Sequence, residues 1–209
     1  TAFLYVFLPL FLCCYALLPQ KNLVILFFSL LFFTWGENHY VLLLLGSVGA
    51  NYWLGNRLVG NADSSRWLAV GLAFNLCLLG YYKYFGFLVM DVFGLQLAQD
   101  SLPHLPLGIS FFTFQSISYL VDVHRGQAQK ARSFSDLALY ICMFPQLIAG
   151  PIVRYNTVSS AIISRQISST DVYQGIGLFL SGLAYKVLLA NNVAPLADQA
   201  FAAGTPLSQ

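Results

Sequence analysis

Charge is what this sequence has least of. Only 9% of its 209 residues are charged, ten Lys or Arg against eight Asp or Glu, where an ordinary globular domain carries about a quarter. So few charges cannot cover a soluble protein of this size. Disorder is excluded as well, because disordered chains are poor in aromatics and rich in charge, and here 58% of residues are hydrophobic and 16% aromatic. The net charge of +2 is too small to attract nucleic acid, so none is expected as a partner. Cysteine is scarce too. Cys13, Cys14, Cys77 and Cys142 all lie in apolar runs, with no CxxC and no His at metal spacing, and read as small buried hydrophobes rather than metal ligands. Glycine-rich phosphate loops and GxSxG elbows are missing, and no bound cofactor is expected.

What remains is a set of long apolar runs. A membrane-crossing helix needs about 20 mostly apolar residues. Candidates lie at 2–18, 22–35, 40–59, 67–90, 105–123 and 172–190, with a doubtful one at 134–150. These runs are apolar on every face, whereas barrel strands alternate. The expected fold is therefore all-α, a multi-pass transmembrane helical bundle. The first run lacks a basic leader and a small-residue cleavage site, so it is read as a helix and not a signal peptide. With no repeat or linker, residues 1–209 read as a single membrane domain. The start at Thr1 and the polar stub from Gly204 to Gln209 suggest a piece of a longer one.

Loop charges alternate. Lys21 follows the first run and Glu37 the second; Arg57 and Arg66 bound the next loop; Asp91 and Asp100 mark the one after; Arg125, Lys130 and Arg132 follow the fifth run. Basic loops face the cytoplasm, which places the N-terminus and the Gly86–Pro103 loop outside. Arg154 and Arg165 break the alternation if 134–150 crosses fully. Phe144-Pro145 and Gly150-Pro151 bracket the end of the same run, and proline disfavours helix there. Freed carbonyls need protein partners or a wet cavity. Both features predict a re-entrant or broken segment near 134–155.

The polar residues within the runs are few. Gln115, Tyr119 and Asp122 fall at helical spacing on one face, with Ser118 beside them and Arg125 one turn past Asp122. This face is either a packing stripe ended by an ion pair or the lining of a polar path. Lys83 beside Tyr81 and Tyr82 reads as an interfacial anchor. Lys186, with Asn191 and Asn192 beyond it, suggests a polar cluster at a helix end. Asn51, Asn75 and Gln146 are single amides suited to hydrogen bonding between helices. His39, His104 and His124 share no spacing with one another or with a nucleophile, so no catalytic residue is assigned from the residues alone.

The run from Leu105 through Pro106-Leu107-Gly108-Ile109-Ser110-Phe111-Phe112 and Ser116-Ile117-Ser118-Tyr119 to Asp122-Val123-His124-Arg125-Gly126, with Phe144-Pro145-Gln146-Leu147-Ile148-Ala149-Gly150-Pro151-Ile152-Val153-Arg154, resembles the membrane-bound O-acyltransferase family. The likeness is greatest to its alginate O-acetyltransferase branch. Gly182 to Ala194, Asn51 to Gly55 and Gly80 to Tyr84 are similar as well, so the resemblance covers nearly the whole chain. Tyr185 stands where the family has Lys, Asn191 where it has Asp, and His124 where Tyr is usual.

The resemblance implies a membrane O-acyltransferase that takes an acetyl-type donor as co-substrate from a carrier on the cytoplasmic side. The acceptor would be hydroxyls of an exported polysaccharide such as alginate. It further implies the bacterial inner membrane as location, with the lipid bilayer and extracytoplasmic polysaccharide-modification proteins as partners. The family's catalytic His lies in a later W-H-G-type motif not found here, so this chain alone is expected to be inactive. Its share would be scaffold and path lining: Gln115, Tyr119, Asp122, Arg125, Gln146, Arg154 and Lys186. A transporter or flippase, or a non-catalytic membrane scaffold, are the alternative readings of such a bundle.

Overall fold

Residues 2–60, 62–94, 103–147, 150 and 153–203 are described by the computed structural model. Pro151, residues 95–102 and the stub 204–209 lie outside them. Every regular element among the described residues is helical. The chain divides into two compact units, residues 1–164 and 165–209.

The first unit begins with α1, a π-helical turn Phe3–Phe7 continued by Leu8–Leu17. Pro19 ends it, and Lys21 caps its last turn by donating from Nζ to the carbonyls of Tyr15 and Ala16. α2 is Lys21–Gly36, α3 is Tyr40–Leu58, and α4 is Ser64–Phe87 continued by a π-helical end, Leu88–Val92. Turns of a few residues join α1 to α4, which forces neighbours to run antiparallel. α5 spans Ile109–His124 and packs against both α3 and α4. It starts four residues later than the apolar run, because Gly108 sits at φ +73° and cannot begin a right-handed turn.

The doubtful run is not one continuous helix. α6 covers only Phe134–Cys142, opened by Ser133, whose hydroxyl accepts from the Asp136 N–H at 3.1 Å. The helix stops at Met143, and a single turn, α7, follows at Phe144–Leu147. α8 then occupies Tyr155–Ile163. Its direction is fixed by two contacts. Tyr140 on α6 donates from its hydroxyl to the Val153 carbonyl at 2.8 Å, and Asn22 at the start of α2 donates to the Ile162 carbonyl at 2.7 Å. The end of α8 therefore lies beside the start of α2. The broken segment expected from the prolines is present among the described residues.

Among the described residues, two helices are long and apolar enough to cross a membrane, Ser64–Val92 in this unit and Ser169–Phe201 in the second. Only 11% of the apolar window of Ser64–Val92 is buried, and none of that of Ser169–Phe201. A soluble core helix would hide such a surface, so these faces suit lipid. Phe3–Leu17 and Lys21–Gly36 are apolar but shorter. The second unit is one long helix, α9, made of Ser169–Ala184, a π-helical stretch Tyr185–Ala190, and Asn191–Ala203. Ser168 and Asp171 form a reciprocal capping box at its start.

Candidate functional site

The break in the α6–α7 segment is met by three side chains, Gln146, Ser29 and Tyr140, each bonded to a backbone group. Pro145 has no N–H to offer the Ile141 carbonyl, and the Phe144 N–H that would serve Tyr140 is turned away. Gln146 folds back and donates from Nε2 to the Tyr140 carbonyl at 2.7 Å. The Phe144 N–H, detached from α6, donates to Ser29 Oγ at 3.1 Å, while Ser29 donates its own proton to the Ile25 carbonyl at 2.7 Å. Tyr140 ties the returning strand of the segment through Val153. Phe144 fills the space between α1 and α2, its ring 5.3 Å from Phe7 and 5.2 Å from Phe11, edge-on to both.

The turn at Leu147 meets the start of α5. A Cβ on Gly108 would lie 2.7 Å from the Leu147 carbonyl oxygen, so the Pro106-Leu107-Gly108 motif and the Phe144–Leu147 motif are in contact. The backbone before Gly108 is held from the opposite side, where Glu37 accepts from the Leu107 N–H at 3.1 Å. These two stretches, which carry the family resemblance, are thus the two walls of one structural feature.

Below this contact, α5 carries much of the polar content of the interior. Gln115 is 1% exposed, Tyr119 0% and Asp122 4%, so the face predicted from helical spacing is buried. Tyr119 accepts at its hydroxyl from the Ala131 N–H at 3.2 Å, and its ring lies 5.0 Å from Tyr155 of α8, edge to face. Among the described residues, Gln115 Oε1, Asp122 Oδ2 and Thr113 Oγ1 find no hydrogen-bond partner.

The remaining predicted residues divide. Gln146 belongs to this cluster through the break. Arg154 is exposed at the N-cap of α8, on the rim of the returning segment. Arg125 does not pair with Asp122. It is the C-cap of α5 and exposed, and the chain swings away immediately after it at Gly126, φ +68°, so the helical i,i+3 geometry assumed for that pair ends before Arg125. Lys186 is exposed on α9 in the second unit. The polar cluster expected there does not form, since Asn192 turns back to the Leu188 carbonyl at 2.8 Å.

Sequence reasoning missed Ser29, Tyr140 and Gly55. A Cβ on Gly55 would collide with the Tyr119 hydroxyl and ring. Ser29 alone offered a signal, as a hydroxyl inside an apolar run. Asn51 and Asn75 behave as expected of isolated amides. They exchange hydrogen bonds between α3 and α4, at 3.2 and 2.7 Å, and each also donates to a carbonyl one turn back on its own helix.

No protein-family model matches the chain, and no solved structure does. Curated relatives match it from end to end. The probable alginate O-acetylase AlgI of Azotobacter vinelandii is 36% identical over 99% of this chain and 44% of its own length. The protein of the same name from Pseudomonas aeruginosa is 37% identical over 99% of this chain and 42% of its own. The peptidoglycan O-acetyltransferase of Helicobacter pylori is 31% identical over 99% of this chain and 46% of its own. The chain thus spans less than half the length of the relatives it matches. Over nearly its whole length the chain is similar to part of proteins named as O-acetylases of alginate and of peptidoglycan.

Proposed function

We propose that the chain forms the scaffold and part of the path lining of a membrane O-acetyltransferase acting on hydroxyls of an exported polysaccharide, alginate first among the candidates. The observation that carries this reading is the end-to-end similarity to alginate O-acetylases. It is supported by the contact between the two motif stretches at Gly108 and Leu147. The polarity buried along α5 gives such a path something to be lined with. The donor is an acetyl-type co-substrate delivered by a carrier on the cytoplasmic side, and the acceptor is presented by extracytoplasmic polysaccharide-modification proteins. The location is the bacterial inner membrane, with the N-terminus outside.

In this scheme the chain alone has no acyltransferase activity. The base that takes the acceptor proton is then the His of the later W-H-G-type motif and not His124. Turnover by the 209-residue chain that His124→Ala abolishes would move the active site here. Arg154, exposed at the head of α8, is placed to pair with an anionic donor or a carrier's phosphate. Arg154→Ala in the full-length protein should raise the barrier for donor use by about 1.5–3 kcal/mol, the worth of a bond to a charged group, and leave acceptor dependence nearly unchanged.

The acceptor is tested by expressing the full-length protein in cells stripped of their own O-acetylases. Alkali-released acetate is then measured on isolated alginate and on isolated peptidoglycan. Acetate on alginate alone supports the proposal; acetate on peptidoglycan alone replaces the acceptor; acetate on neither rejects the reading.

A further inference from the structure

A pocket lies at the end of the first unit where α3 stops and α5 stops. It has a volume of about 540 Å³, within the range of small-ligand sites. Its floor includes Leu58 and Val123, and its polar lining is His124, Gln129, Lys130 and Arg132. Nothing in the acyl-transfer reading uses it.

The chemistry of this pocket is set by one hydroxyl. Ser64 donates its only proton to the Leu58 carbonyl at 3.0 Å. Toward His124 Nδ1, 2.9 Å away, the same oxygen can then only accept. Nδ1 therefore carries the ring hydrogen, and the ring nitrogen left free is Nε2, a hydrogen-bond acceptor in neutral imidazole. The tautomer assigned here follows from Ser64 giving its proton to Leu58.

Around that acceptor the charge is positive. Lys130 makes no ion pair among the described residues. Arg132 uses its Nε for Asp136, at 3.3 Å, and is half exposed, so the terminal nitrogens of its guanidinium fork are not consumed by that bond. Asp136 is the carboxylate engaged here. Asp63, next to Ser64 in the chain, pairs with Arg66 at 3.0 Å, and Arg57 is turned toward the rings of Trp53 and Trp67. Two cationic donors and one neutral acceptor above an apolar floor suit a particular ligand. It has an anionic phosphoryl group, a neighbouring hydroxyl, and apolar atoms beyond.

We propose that this pocket binds a phosphoryl anion bearing such a hydroxyl: Lys130 and Arg132 take the phosphoryl oxygens, and His124 Nε2 accepts from the hydroxyl. Two sources share this chemistry. A phosphate monoester supplies the P–OH itself, and an anionic glycerol phospholipid supplies a headgroup hydroxyl with acyl chains for the floor. The inference is independent of acyl transfer, since it rests on Ser64, His124 and the two cations alone.

The test uses the full-length protein purified in a zwitterionic detergent. Inorganic phosphate is titrated against chloride at matched ionic strength, and binding is read from the rise in melting temperature. In parallel, protein from nanodiscs of phosphatidylglycerol mixed with phosphatidylcholine is examined by native mass spectrometry for retained lipid. Lys130→Gln, at an exposed side chain that supports nothing, should weaken whichever ligand binds by about tenfold or more, the effect of one lost charge-assisted bond. Ser64→Ala should weaken it several-fold by freeing the tautomer, with Ser64→Thr restoring it. Phosphate binding alone identifies a soluble ligand, and phosphatidylglycerol retention alone identifies a lipid; either supports the site. Wild-type protein that discriminates neither probe overturns the proposal, as does a Lys130→Gln variant that binds as well as wild type.

Discussion

Two glycines do more for this structure than most of its side chains, and each makes a sharp prediction. Gly108 holds a left-handed conformation and admits the Leu147 carbonyl to within 2.7 Å of where a Cβ would stand. Alanine there meets both a dihedral cost of about 1–2 kcal/mol and a collision with backbone, which cannot swing aside as a side chain can. Gly108→Ala should therefore lower stability by at least about 2 kcal/mol, measured by thermal unfolding in detergent. Gly55→Ala presses on Tyr119, a ring that is fully buried and pinned by the Ala131 N–H. Its cost should be about 1–3 kcal/mol, and Tyr119→Phe in the same background should recover part of it, because the hydroxyl is among the atoms in the way. A Gly55→Ala protein with an unchanged melting curve would mean that Tyr119 is looser than its contacts imply.

At the scale of elements, the interhelical amide pair is the clearest case. Removing Asn51 leaves Asn75 buried without the partner that now accepts from it at 2.7 Å. Asn51→Leu and Asn75→Leu should each cost about 1–2 kcal/mol, while the double variant costs less than their sum, because no orphan amide remains. A strictly additive cycle would show that the pair is not coupled. The helices themselves were legible from the apolar runs, and the amides from their isolation within those runs. The break at Met143 was legible too, since Pro145 announces a missing donor. How the break is repaired was not. Ser29 is 115 positions from Phe144, and no local spacing links a hydroxyl on one helix to a stray N–H on another. The same reason hid the start of α5: a left-handed Gly108 is a response to a carbonyl that arrives from 39 residues further along. Arg125 failed in the opposite way. Helical spacing was extended one residue past the last helical turn, and the ion pair it suggested lies beyond the end of α5.

For the whole molecule, the account joins topology to chemistry. The Gln115, Tyr119 and Asp122 face was readable as one stripe, and the structure buries it; its assignment as path lining is ours. Lys186, read as part of the same machinery, belongs to the second unit. We propose that the broken α6–α8 segment, which packs against α5, makes this face a path wall by leaving from and returning to one end of the bundle. Such a return would keep Arg154 on the side predicted for the other basic loops. Single cysteines at Ser133 and Ser164, placed in a full-length protein with Cys13, Cys14, Cys77 and Cys142 replaced by alanine, test it directly with a membrane-impermeant maleimide. The account predicts that neither position labels in intact cells and that both label once the cytoplasmic face is opened. Labelling of Ser164→Cys in intact cells, with Ser133→Cys still protected, would make 134–163 a full crossing and contradict it.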